Sequence, residues 1–143
     1  MADQRFTDNG ETVTDRMTGL MWEKKRADGA VDWRQSLHSV NAACSWPEAT
    51  GAWLDAVNSE TFAGSSDWRI PMPYELVSIV AYDRAHPPAL DPVFGPVASA
   101  FYWTAAPVAF HTALAWRIFF LDGSVFVDDK GNRNRVRAVR PAG

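Results

Sequence analysis

Residue types that commonly do chemistry are sparse in this sequence. His38, His86 and His111 lie far apart, no His-x-x-x-His occurs, and Cys44 is the only cysteine. Zinc-ligand spacing and an intrachain disulfide are therefore both missing. No Gly-x-Ser-x-Gly is present to build a nucleophile elbow. The acidic clusters Asp8-Asn9-Gly10-Glu11 and Asp128-Asp129 supply too few oxygens for calcium, which takes six to eight. We expect no catalytic residues, no metal and no cofactor.

Two charged motifs remain. Arg69 in Asp67-Trp68-Arg69 has the fork geometry of a carboxylate or sulfate clamp. The structural alternative, which we favour, puts Trp68 in the core and pairs Arg69 with a buried acid or a backbone carbonyl. Lys130, Arg133, Arg135, Arg137 and Arg140 form a basic tail with no acid after Asp129. It reads as a solvated strand balanced by Asp128 and Asp129, in preference to a site for anionic glycans.

The informative stretch is 114–135. Side chains alternate across a strand, so Trp116, Ile118 and Phe120 share one face and Arg117, Phe119 and Leu121 the other. Beyond the Asp122-Gly123 turn, Val125 and Val127 continue one side, while Ser124, Phe126 and Asp128 take the other. Both faces thus carry large apolar groups. Either the second face is covered by the rest of the chain, or it is an exposed aromatic patch of the kind that marks an interaction site.

The elements that position these residues follow from local signals. Residues 5–14 read as a hairpin around Asn9-Gly10, and Gly19-Leu20-Met21-Trp22 as a buried strand. Residues 24–32 read as a charged loop, and 33–46 as loop with a helical turn. Pro47 opens a helix with Trp53, Leu54 and Val57 on one stripe, ending near Asn58. A second follows Pro73, with Glu75 in its first turn and Tyr74, Leu76, Val77 and Val80 at helical spacing. Proline density forbids regular structure from Pro87 to Pro96. Strands are expected at 101–104, 114–121, 124–127 and 136–139. Helices followed by an antiparallel meander indicate one α+β domain over 1–143.

Composition bounds the function. The 143 residues suit one core, with 47% hydrophobic and 22% charged residues, and seven tryptophans make the chain unusually aromatic. A net charge of −3 gives no general attraction to nucleic acid or anionic membranes. No apolar run approaches the roughly 20 residues of a membrane helix. Met1-Ala2-Asp3-Gln4 has neither a basic nor an apolar leader segment.

Several motifs occur in a fixed order. They are Gly19 to Lys25, Phe62-Ala63-Gly64, Ser66 to Pro71, Glu75-Leu76, Asp91 to Phe94, Tyr102-Trp103-Thr104, Ala115-Trp116, Asp122-Gly123 and Val136 to Arg140. Together they resemble the Lcl C-terminal-domain-like family of bacterial domains, from about Phe6 to Arg140. The resemblance implies a C-type-lectin-like fold: paired first and last strands, two flanking helices around a twisted antiparallel sheet, and long loops bearing the ligand face. It also implies a secreted or cell-surface home with a trimmed leader, a cytoplasmic one staying open.

The resemblance further implies a fixed frame at Ala115, Trp116, Asp122, Gly123, Lys130 and 136–140, with a varied outward face. That face comprises Arg117, Phe119, Leu121, Ser124, Phe126, Asp128, Asn132, Arg133, Asn134 and Arg135, joined by Phe110 and His111 from the 105–112 loop. Trp22, Trp68, Arg69, Trp103 and Trp116 are assigned to the frame. Such a layout resembles lectin-like proteins whose last strands are diversified by retroelements. The calcium-lectin tripeptides Glu-Pro-Asn and Gln-Pro-Asp are absent, and so are the cysteine pair and histidine-rich site of the related sulfur oxidases. The expected function is non-enzymatic binding of a protein or glycan, adhesin or receptor in type, with a homo-oligomer among the candidate states.

Overall fold

In the computed structural model, which describes residues 5–30 and 32–143, the chain folds as two sheets of mostly antiparallel strands joined by short helices. Met1 to Gln4, where a leader was sought, lie outside the described residues, as does Val31 of the expected 24–32 loop.

The first sheet runs β1 (Phe6–Asp8), β2 (Thr12–Asp15), β3 (Leu20–Glu23) and β9 (Val139–Pro141). Its opening hairpin forms where Asn9-Gly10 requires it. Gly10 has a φ of 91°, and Asn9 donates from its backbone to the Thr12 carbonyl and from its side chain to the Thr12 and Thr14 hydroxyls. Asp15 is buried and accepts two bonds from the Arg5 guanidinium, which also donates to the Ser78 carbonyl.

The second sheet has the order β4 (Ala43–Cys44), β8 (Asn134–Arg135), β5 (Phe101–Val108), β6 (His111–Phe119) and β7 (Ser124–Asp129). Its β5–β8 pairing is parallel and the rest antiparallel.

A helical run at 46–59 comprises α1 (Trp46–Glu48), a π-helical stretch (Ala49–Trp53) and α2 (Leu54–Ser59). It starts at a capping box: Ser45 Oγ accepts from the Glu48 N–H, and Glu48 Oε1 accepts from the Ser45 N–H. Helix α3 (Pro73–Ser78) begins similarly, with the Met72 N–H donating to Glu75. Two clusters form the core. One packs Trp53, Trp68, Trp103 and Ala138 beside the 46–59 run, and the other packs Trp22, Leu76, Phe94 and Ile118 beside α3.

Several expectations change. The closing strand is not 136–139; β8 precedes those residues and β9 starts at Val139, because the segment crosses from one sheet to the other. The last strand pairs with β3 and not with the first, since the Asn9-Gly10 hairpin folds β1 to the outer edge. The 105–112 loop is mostly ladder, with Val108 opposite His111 and a tight turn between. Lys25, expected in an exposed loop, is 3% exposed.

Candidate functional site

The site begins with cross-strand register. Phe101 lies opposite Phe119, Trp103 opposite Arg117, and Arg117 opposite Phe126. Alternation puts all five on one face of the sheet, with Asp128 opposite Ala115 on the same side. Phe101 is the hub. Its ring stacks on Phe119 at 4.3 Å, meets Phe126 edge-on at 5.6 Å, and lies 3.6 Å from the Arg117 guanidinium carbon. Phe126 stays 46% exposed, whereas Phe101 and Phe119 are half-buried by each other.

Arg117 is held in place by polar neighbours. Its Nη1 donates to Asp128 Oδ2 (3.2 Å) and to Asn134 Oδ1 (3.1 Å). Asn134 in turn donates to Asp128 Oδ2, while Asn132 and the Asp129 N–H donate to Asp128 Oδ1. Burial alone would raise the Asp128 pKa. Hydrogen bonds from Asn134 and Asn132, with the charge of Arg117, outweigh it and hold the carboxyl below the usual range. Arg117 Nε is buried with no hydrogen-bond partner among the described residues. The result is a rigid platform: aromatic rings for stacking, beside a cation whose orientation is fixed in advance.

The structure therefore brings together Arg117, Phe119, Phe126, Asp128, Asn132 and Asn134, and leaves the other candidates apart. Asn134 is buried and forms part of the support beneath the face. Ser124 stands opposite Phe119 on the same face, but its backbone and hydroxyl are bound into the turn by Asp122. Leu121 is exposed and lines a separate depression of about 200 Å³ with Tyr82, His86 and Asp122. Arg133 is exposed. Arg135, on β8, donates to the Val40 carbonyl. Phe110 and His111 are exposed at the far tip of the β5–β6 hairpin, where Phe110 has a positive φ.

Among the frame residues, Trp22, Trp68 and Trp103 are buried. Trp68 donates to the Phe62 carbonyl, and Asn58 brackets its backbone. Arg69 makes a two-pronged pair with Glu75, both bonds 2.7 Å. Trp116 needs correction as a core residue: it is half-buried and belongs to neither cluster. Its cross-strand neighbour is Val127 on the outermost strand, beyond which the sheet has no further strand among the described residues.

The basic tail does not form a cationic surface. Arg137 is buried and donates to the Glu23 carbonyl at 2.5 Å, Arg140 pairs with Asp67, and Lys130 sits 4.6 Å over the Trp46 ring.

Sequence reasoning missed a buried charge cluster between the sheets. Glu23 Oε2 accepts from Lys25 Nζ (2.9 Å) and lies 2.5 Å from His38 Nδ1, while Oε1 accepts from the Ala138 N–H (2.9 Å). His38 Nε2 contacts Glu60, and its ring stacks on Phe62. Burial would raise the Glu23 pKa, but Lys25 and His38 prevail and hold it at about 2. Burial lowers Lys25, with Glu23 pulling the other way; His38 is raised because its two carboxylate partners outweigh its own burial. The available signal was Glu23 and Lys25 alternating in step just after a buried strand.

Burial pushes the Cys44 thiol up to about 12, so it stays protonated at neutral pH and is a poor nucleophile. Among the described residues, no group of three or more His, Cys, Asp or Glu side chains is placed to hold a metal ion, and no helix is long and apolar enough to cross a membrane.

The chain is thus an α+β domain of two small sheets, with an aromatic and guanidinium platform on the outer strands of one. The family model of the Lcl C-terminal domain matches residues 11–140, nearly the whole chain. The chain belongs to that family. Comparison with curated proteins gave no match.

Proposed function

We propose that the chain is a C-type-lectin-like, non-enzymatic binding module whose ligand face is the platform around Phe101. The observation that carries this reading is the cluster itself. Three phenylalanines and an oriented guanidinium lie on one sheet face, with Phe126 open to solvent and Arg117 fixed by Asp128 and Asn134. Ordering these groups before a ligand arrives lowers the entropic cost of binding. Aromatic and arginine side chains are also the types that dominate binding energy at interfaces. The buried, protonated Cys44 supports binding over cysteine-based oxidation. The face suits a flat apolar or ring-bearing surface on a protein or glycan, presented at a cell surface or in the surrounding medium. An anionic-glycan site is disfavoured because the tail arginines are largely committed inside the domain.

The test is a glycan and protein-ligand array comparing wild type with Phe126→Ala and Arg117→Lys. Both variants should lose the ligand that wild type captures. Capture that survives in both refutes the assignment of this face.

A further inference from the structure

We propose that two copies of the chain pair antiparallel through the free edge of β7, making one continuous sheet across a two-fold axis at Phe126. This stands apart from the ligand reading and rests on the backbone of the outermost strand.

The phase of the β6–β7 ladder identifies the free groups. Lys130 N–H donates to the Ala113 carbonyl, and the register runs unbroken from Leu114–Asp129 to Phe119–Ser124. Bonded pairs alternate along an antiparallel ladder, so Asp128, Phe126 and Ser124 point their backbone groups at β6. Val125, Val127 and Asp129 point theirs outward. The Asp129 groups are used locally: its N–H donates to Asp128, and its carbonyl accepts from Asn132. Val125 and Val127 enter no turn, loop or cap hydrogen bond among the described residues.

Their side chains reinforce the point. Val125, Phe126 and Val127 are consecutive and 45%, 46% and 36% exposed. Exposed edges are normally blunted by proline, bulges, charge or shortness. The opposite edge, β4, has only two residues, whereas β7 has six, with no proline and no bulge.

The register of the pair follows. Val125 opposite Val127 of the second copy, and the reverse, engages all four free N–H and C=O groups of each β7 edge. Centring on Val125 or Val127 leaves part of that set unpaired or meets the occupied Asp129. In the Phe126-centred register the two Phe126 rings are direct neighbours on the ligand face, and Val125 and Val127 neighbour each other on the opposite face. Asp128 meets Ser124, so no like charges are opposed. Just beyond the strand ends, Lys130 of each copy lies opposite Asp122 of the other. The surface is therefore complementary to itself in hydrogen bonds, apolar groups and charge, as a two-fold interface requires.

Sedimentation of the ligand-free chain over a wide concentration range tests this. Wild type should form a concentration-dependent dimer. Val127→Pro removes one outward N–H per copy at an edge position where proline is tolerated, and should raise the dimer Kd by about tenfold to a hundredfold. Asp122→Lys and Lys130→Asp should each weaken self-association, and mixing the two variants should restore a heterodimer. That mixing experiment decides the matter if the proline variant fails to fold. A wild-type chain that stays monomeric at millimolar concentration overturns the proposal. So does a dimer indifferent to all three substitutions, or a monomer that instead takes a strand-forming peptide at β7.

Discussion

Glu23 is the side chain whose loss should cost this fold most for the smallest change in shape. Replacing Glu23 with Gln keeps the volume and removes the charge. The carboxylate is fully buried and is the only acid paired with Lys25 among the described residues, and Lys25 is itself 3% exposed. It also holds His38 and the Ala138 N–H, so it ties β3 to the segment crossing between the sheets. Removing one partner of a buried pair strands the other charge and costs about 3–5 kcal/mol. The pKa gives a second route: lowering from 4.5 to about 2 corresponds to about 3 kcal/mol of charge stabilisation. A loss of that order is a large share of the ~5–15 kcal/mol that keeps a domain folded. The depressed Glu23 pKa makes its contribution full above pH 4.5 and loses it as pH falls towards about 2. The raised His38 pKa works in the opposite sense: its contribution is full below 6.5 and is lost as pH rises through the folded value. The contributions of Glu23 and His38 are therefore both full between pH 4.5 and 6.5. Urea unfolding of wild type and Glu23→Gln across pH measures both effects. A loss under about 1 kcal/mol, or acid sensitivity between pH 4.5 and 2 identical in the two proteins, would refute the reasoning.

Packing sets the outcome of four further substitutions. Gly123 has a φ of 85°, and a Cβ there would lie 2.5 Å from Val80 Cγ1 and 2.8 Å from the Tyr82 ring. Gly123→Ala should lower stability by about 1–3 kcal/mol in thermal or chemical melts, from backbone strain and crowding together; an unchanged melt would show that the turn relaxes freely. Trp68→Ala should unfold the domain or block expression, at about 3–5 kcal/mol. Phe126→Ala should melt within roughly 1 kcal/mol of wild type while losing ligand, and Phe119→Ala should fall between them because Phe101 half-buries it. Equal destabilisation by Phe126→Ala and Trp68→Ala would make Phe126 core and move the binding face elsewhere.

Elements specified by neighbouring residues were legible in the sequence. Asn9-Gly10 and Asp122-Gly123 mark their turns, and proline with a following glutamate marks both helix starts, because those signals act within four residues. Strands β4 and β8, two residues each, form only through partners distant in sequence, β8 joining β4 on one side and β5 on the other, so no local pattern announces them. Phe101 was readable as a strand residue but not as the hub of the site. Its role depends on standing opposite Phe119 while Phe119's own strand pairs with Phe126's. Charge misled in two places. Lys25 looked like loop and Arg137 like solvated tail, yet both are buried, one beside Glu23 and the other on its carbonyl. Trp116 misled in the opposite direction, since residue type suggested burial, yet its strand neighbours the outermost one and leaves it half-exposed.

The place of β7 at the edge of its sheet explains why the domain's spare apolar surface is concentrated where it is. Trp103 and Ala115 bury one face of the second sheet in the cluster beside the 46–59 helical run, and Tyr102 and Ile118 bury the other beside α3. Both coverings reach only as far as β6. No residue of β7 belongs to either cluster. Val125, Phe126 and Val127 therefore carry core-type side chains into solvent on both sides of one strand, with Trp116 half-covered behind them. A sequence selected only for folding gains nothing from apolar residues there, because their exposure invites aggregation. Their placement is consistent with two partners acting on two surfaces of one strand: a ligand on the Phe126 face, and a second copy along the edge. The two uses share Phe126 but separate at Val127, whose backbone serves only the edge. Val127→Pro should thus weaken self-association while the folded monomer retains single-site ligand affinity, losing only the avidity that a paired face supplies.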